Sequence, residues 1–235
     1  MSPPGRPKGE HRRAQPAGFP INPPGRPKGE HRRAQPAGFP THAVVRLAAG
    51  LAAAGCLWGA PALAQTPNFA IDPTHTFVNY ENGHYGTTTN RGRFSTKDGT
   101  LFFDRAAQQG KVEIIIDISS VNTGVDFLNR QIQGKDFFNV ADFPTGTFVS
   151  DKFVFNGDKV SEVQGQLTLK GQTFPVTLKA SKFNCYINPL FKREVCGGDF
   201  ETSIIRSQWG ILWGLQFGFE DAVKLIIQVE AIKMQ

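Results

Sequence analysis

From Phe69 onward apolar and polar residues alternate with a period of two, interrupted by Gly, Pro, Asn and Asp. No other feature of this chain restricts its fold as tightly. A strand turns successive side chains to opposite faces, so the alternation marks sheets with one dry and one wet face. Val112-Glu-Ile-Ile-Ile-Asp-Ile118 places Val112, Ile114, Ile116 and Ile118 on one side, and Glu113, Ile115 and Asp117 on the other. Gln166-Leu-Thr-Leu-Lys170, Pro175-Val-Thr-Leu-Lys-Ala180 and Val223-Lys-Leu-Ile-Ile-Gln-Val-Glu-Ala231 behave alike, as half-buried antiparallel strands require. Leu167 to Leu178 reads as a hairpin turning at Lys170-Gly171-Gln172. The one strong helix candidate lies between Val125 and Val140, with Asp126 as its N-cap. One-sided strands in this number, with little helix to cover them, must close on themselves. The class is all-β, a barrel or a sandwich.

An antiparallel barrel of about eight strands is just wide enough to hold one small or elongated ligand. Residues 65–235 supply 18 Phe, 3 Tyr and 2 Trp, which would either fill such a core or line a hollow one. Few polar groups are placed to act on a ligand, which favours holding an apolar molecule over transforming it. Ile114 with Ile116, Leu167 with Leu169, Val176 with Leu178, and Leu225 with Ile227 would form the wall. Burying a ~10-carbon chain against it would contribute about 8 kcal/mol before ordering costs.

The first forty residues obey no such pattern. Residues 23–40 repeat PPGRPKGEHRRAQPAGFP of residues 3–20 without one change. Solenoid units diverge and carry an apolar face, whereas each copy here is Pro-rich, basic and without periodicity. Residues 1–42 therefore read as a disordered extension or a misassigned translation start. Residues 43–64 read as a signal peptide. Arg46 gives its positive n-region, Leu47 to Ala60 its apolar stretch, and Ala62-Leu63-Ala64 the signal for cleavage after Ala64. That stretch is short for a membrane span. Signal peptides begin close to the initiator, so Val44 or Val45 is the expected start. A rival reading makes Ala53-Ala54-Gly55-Cys56 a lipobox with Cys56 lipidated, but it leaves Ala62-Leu63-Ala64 unexplained. Residues 65–235 form the barrel domain, and the chain is expected in the periplasm.

Charge divides at the same boundary. A net +6 and a pI near 9.3 suggest a nucleic acid or an anionic membrane as partner. Residues 1–65 hold nine Lys or Arg against two Asp or Glu, while the remainder hold 17 against 18. The folded domain is near neutral, and no nucleic-acid partner is expected.

Within it only Cys185 and Cys196 remain, in NCYINPLFKREVC. An even pair in an exported chain reads as a disulfide, and Asn188-Pro189 between them is a turn signal. Zinc wants more ligands, and a redox pair would more often be Cys-x-x-Cys.

Catalytic signatures are absent: there is no Gly-x-Ser-x-Gly, His-Glu-x-x-His, P-loop or dinucleotide fingerprint. No cofactor, metal or catalytic residue is expected. His75, His84 and Glu81 match no standard metal spacing, and on one strand the two histidines would face opposite ways. His84 shares parity with Val78 and Tyr80, so these three would face the interior, with His84 either hydrogen-bonding a ligand headgroup or serving structure. Arg206 would meet an acidic headgroup or pair with an internal carboxylate. Trp209 and Trp213, each followed by Gly, would share one face of a strand and line or rim the cavity. Asp104, Asp136 and Asp142 read as caps.

Ile71-Asp-Pro-Thr-His75, Gly83-His84-Tyr-Gly86 and Arg91-Gly-Arg-Phe94 resemble the opening of the YceI-like polyisoprenoid-binding proteins. The likeness continues through Ser120-Val-Asn-Thr-Gly124, Asp136-Phe-Phe-Asn-Val140, Phe143-Pro144 and Thr147-Phe148. It then takes in Gly165-Gln-Leu-Thr-Leu-Lys-Gly171, Thr173-Phe-Pro-Val176, Arg206-Ser-Gln-Trp-Gly210 and the strand from Asp221, spanning 69–232. It implies a lipocalin-like antiparallel barrel with one short helix at its end, exported and holding a long isoprenoid, quinone or fatty amide. It also implies transient contact with the inner membrane or membrane redox proteins. The oligomeric state stays open, a homodimer among the options. One departure stands out: where the family carries Arg-Asp-x-His-Leu, this chain reads Leu128-Asn-Arg-Gln-Ile132, so the roles of those residues do not carry over. The Cys185–Cys196 loop resembles a subgroup feature.

The sequence thus points to a periplasmic carrier of an isoprenoid-type lipid. The rivals are an isomerase or hydrolase on the same barrel with His84 as base, and a structural protein with a filled core.

Overall fold

A computed structural model describes residues 65–235; the duplicated segment, the expected signal peptide and Cys56 lie outside the described residues. The strands are β1 (Phe69–Ile71), β2 (Phe77–His84), β3 (Thr88–Asp104), β4 (Gln109–Asn122), β5 (Thr145–Asn156), β6 (Lys159–Leu169), β7 (Gln172–Ile187), β8 (Glu194–Ile205) and β9 (Ala222–Lys233), with helix α1 (Asp126–Gln133) between β4 and β5. Each pairs antiparallel with the next from β2 to β9, and β9 returns to β2. β1 takes the same neighbours as β2, with Phe69 opposite both Leu101 of β3 and Lys233 of β9. β1 and β2 are therefore one stave with a break. Eight staves close the sheet, leaving no free edge.

The break falls at Asp72-Pro73, where proline has no N–H for the ladder. Asp72 accepts hydrogen bonds from the Thr74 N–H at 2.9 Å and the Thr74 hydroxyl at 2.6 Å, and its other carboxylate oxygen lies 2.8 Å from His75 Nδ1. Burial pushes the Asp72 carboxyl up, but these bonds outweigh it and hold it below the ordinary carboxylate range. The bond to Asp72 raises His75. His75 thus belongs to a turn, and its parity relation to His84 on one strand does not apply.

The alternation buries what it promised to bury. Val112, Ile114, Ile116 and Ile118 of β4 all face inward, as do Val163, Leu167 and Leu169 of β6. The β6–β7 turn is the two residues Lys170-Gly171, with φ of 49° and 72°. Positive φ at both positions matches the twist of the flanking strands. Cys185 and Cys196 are directly opposed on β7 and β8 and are disulfide-bonded.

The helix is shorter than expected. It stops at Gln133, and Asp126 lies in its first turn, the cap position being Val125 with no side-chain cap bond. Gly134 follows, and the chain then winds through turns in which Phe137 N–H and Asn139 N–H donate to Gly134 O. Asn139, at φ 49°, adopts the left-handed conformation that an asparagine tolerates and a helix does not.

Candidate functional site

The barrel has two unlike ends. One carries the β3–β4 and β5–β6 turns and the six-residue β7–β8 loop. The other carries the β2–β3 turn, α1 with the turns after it, the two-residue β6–β7 turn and the segment 206–221 between β8 and β9. At the first end Phe103 stacks on Phe155 at 6.0 Å and meets Phe183 at 5.5 Å. Those rings fill the lumen there, while the aromatics at the other end line it.

Between the ends lie two adjoining cavities, with Val78, Ile116, Leu167 and Leu225 as shared walls. The deeper one, of ≈ 90 Å³, is also lined by Ile114, Val176, Leu178 and Ile227. The larger, of ≈ 610 Å³, reaches Leu169, Tyr80, His84 and Arg206 towards the second end. That volume is in the range of ligand pockets, whereas a well-packed core has only small voids. Twelve of the thirteen residues expected at the cavity border it. Trp209 does not.

Glycine keeps part of the lumen open. Gly92 opposes Tyr80 across β2–β3, and a Cβ there would lie 2.5 Å from the Tyr80 ring. The ring therefore rests over the neighbouring backbone instead of crossing the lumen. Gly110 gives the same room to Phe153. Burial pushes the Tyr80 phenol up to about 12, so at neutral pH it is a proton donor. Its hydroxyl makes no hydrogen bond among the described residues, and its ring lies against Phe94 at 5.8 Å.

Polarity collects near the second end, the mouth. Asn82, Thr89, Asn90, Arg91 and Gln131 border the large cavity there. Arg91 Nε donates to Glu81 at 2.7 Å, which neutralises the nearest charge. The His84 ring sits edge-on to Tyr85 at 4.8 Å and Phe219 at 5.1 Å, and Phe219 continues to Trp213 at 5.4 Å. Trp213 meets Phe137 at 5.1 Å. The mouth is an aromatic collar with amide and imidazole groups set into it. An amphiphile fits: a chain in the dry depth and a hydrogen-bonding head at the collar.

Two expected site residues are engaged elsewhere. Arg206 is only 6% exposed. Its Nε donates to Glu220 O at 3.0 Å, and its Nη1 to Ile211 O at 2.8 Å and Trp213 O at 2.9 Å. Burial pushes the guanidinium down, partly offset by Asp221 nearby, whose carboxylate accepts from Ser207 N–H and hydroxyl. Arg206 fastens the 206–221 segment through its carbonyls. Trp209, 1% exposed, donates Nε1 to Leu167 O at 3.2 Å and meets Phe174 edge-on at 5.1 Å. β8 ends at Ile205 and residues 206–209 turn as a 3-10 helix, so Trp209 and Trp213 do not share a strand face; only Trp213 borders the cavity.

Asn82, Phe94, Phe137, Phe138 and Phe219 border the large cavity without having been singled out. Asn82 shared the parity of Tyr80 and His84 and was within reach of that argument. Phe137, Phe138 and Phe219 sit on turns, where alternation gives no signal. At the departure noted above, Leu128, Gln131 and Ile132 border the cavity, while Asn129 Oδ1 accepts from Thr123 N–H and hydroxyl, each at 2.8 Å.

Among families of known proteins, the YceI-like domain matches residues 69–231. Protein YceI of Salmonella arizonae is 33% identical over 162 residues, covering 68% of this chain and 83% of that protein. Among solved structures, Burkholderia cenocepacia BcnA is 25% identical at a TM-score of 0.53, covering 68% of this chain and 98% of that one. A polyisoprenoid-binding domain from Saccharophagus degradans, described as implicated in plant cell wall breakdown, aligns at a TM-score of 0.54 over 72% of this chain and 100% of that domain. At 14% identity that likeness is one of fold.

Proposed function

This chain belongs to the YceI-like family, and on that premise we propose that its barrel carries a long-chain isoprenoid or similar amphiphile such as a quinone, polyprenyl or fatty amide. One observation carries the reading. A collared cavity of ≈ 610 Å³ continues into a deeper one of ≈ 90 Å³ whose lining is almost wholly aliphatic and aromatic. Such a lumen rewards buried chain length at about 0.8 kcal/mol per methylene. Tyr80, His84 and Asn90 would receive the head, while the Asn82 amide donates to Glu220 O and Ala222 O, each at 3.0 Å. The polyisoprenoid-binding description of the Saccharophagus domain supports the same ligand class.

The compartment follows from the same reading. The Cys185–Cys196 disulfide supports export to an oxidising compartment, the periplasm, after cleavage behind Ala64. Among the described residues no helix is long and apolar enough to cross a membrane.

Organic extraction of the purified protein, followed by mass spectrometry, should release a long-chain lipid in near-stoichiometric amount. A protein that yields none, and takes up no geranylgeraniol from detergent after delipidation, would overturn the reading. N-terminal sequencing of the exported protein should begin at Gln65.

A further inference from the structure

We propose that the mouth of the barrel is a bilayer-docking face, and that the ligand passes between membrane and lumen through it. The inference rests on the carrier reading and adds where, and against what, the barrel loads.

Three observations converge. First, large apolar side chains stand in solvent around the mouth: Phe127 is 66% exposed, Phe217 60%, Leu212 56% and Tyr85 53%. Two of them touch the cavity lining and two adjoin it in the chain. Tyr85 and Phe217 meet the lining residues Phe219 at 5.0 Å and Trp213 at 6.5 Å, while Phe127 and Leu212 are chain neighbours of the lining residues Leu128 and Trp213. Second, the strips that carry Tyr85, Leu212 and Phe217 contain no charged residue. Ser207 to Phe219 contains no Asp, Glu, Lys or Arg, and neither does Gly83 to Asn90. The charges of α1, Asp126 and Arg130, cancel, Arg91 is paired with Glu81, and the other charges of this end, Lys135, Lys170 and Arg206 against Asp136, Asp142, Glu220 and Asp221, nearly balance away from those strips. Interfacial insertion is costly for charged groups and favourable for aromatic and aliphatic ones. Third, the opposite end has charge set directly beside its exposed apolar side chains, Lys192 and Arg193 following Leu190 and Phe191. Its turns carry Asp104, Arg105, Asp158, Lys159, Lys192, Arg193 and Glu194.

That opposite end also has an apolar tip of Ile187, Leu190 and Phe191, with Leu190 87% exposed, beside Lys192 and Arg193. Docking there would need anionic lipid and would turn the mouth away from the bilayer, forcing the ligand through water. A neutral collar makes the opposite demand. Attachment through the mouth depends on apolar contact and is indifferent to lipid charge and to salt.

The test is sedimentation of the exported protein with phosphatidylcholine vesicles, and with vesicles in which a third of the lipid is phosphatidylglycerol. Binding should be alike for both and survive 0.5 M NaCl. The double variant Phe127→Asp/Phe217→Asp should bind about tenfold more weakly, and Leu190→Asp should bind as the parent does. Loading separates this idea from the carrier reading. Geranylgeraniol delivered in detergent should fill the double variant as it fills the parent, but transfer from vesicles should slow about tenfold. If the parent takes up no geranylgeraniol from detergent, the carrier reading fails while sedimentation still judges docking. Binding confined to anionic vesicles, or lost with Leu190→Asp, would overturn docking by the mouth. So would a dimer in sedimentation velocity that the double variant dissolves, since a second copy would then be the occupant.

Discussion

The closed end and the mouth are built from the same eight staves, yet they spend their aromatic residues in opposite ways. At the closed end Phe103, Phe155 and Phe183 pack on one another beside short charged turns and a disulfide. Glu194 there bridges Arg105 and Lys233 at 3.5 and 3.2 Å. At the mouth Tyr85, Phe219, Trp213 and Phe217 touch edge-on, and Phe137 meets Trp213 at a tilt, in a chain beside open space. Rings that meet other rings from all sides exclude water and stabilise the fold. Rings that meet only on one side leave the other for a ligand. Aromatic abundance alone therefore does not tell a filled core from a binding site; the number of sides covered does.

The sharpest way to break this comparison is to truncate one ring at each end. Phe103→Ala should lower unfolding free energy in urea by about 3–5 kcal/mol, with geranylgeraniol binding retained at temperatures where the variant is folded. Phe219→Ala, beside an open cavity, should cost only about 1 kcal/mol but weaken binding. Equal stability losses would erase the distinction. Next in size, Leu225→Trp places a large side chain where the two cavities adjoin. It should weaken geranylgeraniol binding by at least about a hundredfold, or about 2.7 kcal/mol, while the melting temperature holds, because the space already exists.

Cys185→Ala/Cys196→Ala tests the closed end through its brace. In the chain-entropy picture so short a loop contributes about 2–3 kcal/mol, so denaturation should show that loss with ligand affinity unchanged. A fall in affinity would mean the ends are coupled. The smallest effect concerns the broken stave. His75 is raised by its bond to Asp72, so its contribution is full below the ordinary imidazole value and fades as pH rises past the folded one. Asp72 is held low, so its contribution is present above the ordinary carboxylate value and fades as pH falls through the folded one. The stability difference between the parent and His75→Gln should be greatest near pH 5 and shrink above pH 7. A difference growing towards pH 8 would contradict the sign.

Legibility followed the backbone. On strands, parity alone placed Ile114, Ile116, Leu167, Leu169, Val176, Leu178, Leu225 and Ile227 at the two cavities. Val78, Tyr80 and His84 followed from the same rule. The Lys170-Gly171 turn was readable because few residue pairs tolerate two positive φ angles. Where strands end, the rule ends too. Trp209 and Trp213 looked equivalent and are not, because a 3-10 turn after Ile205 buries one and leaves the other at the collar. Arg206 looked available to a headgroup, but three backbone carbonyls claim it.

The sequence by itself determined the all-β class, the inward set on each strand and the Cys185–Cys196 pair, because a period of two and a lone cysteine pair are properties of the chain alone. Division of charge along the chain belongs with these, since it separates basic residues 1–65 from a near-neutral domain. The lumen itself belongs to the tertiary structure. Whether eighteen phenylalanines fill a barrel or line it depends on strand number, on glycines such as Gly92 that let a ring lie over the wall, and on how loops fold back over an end. Those are distances between residues far apart in sequence, which no local pattern encodes.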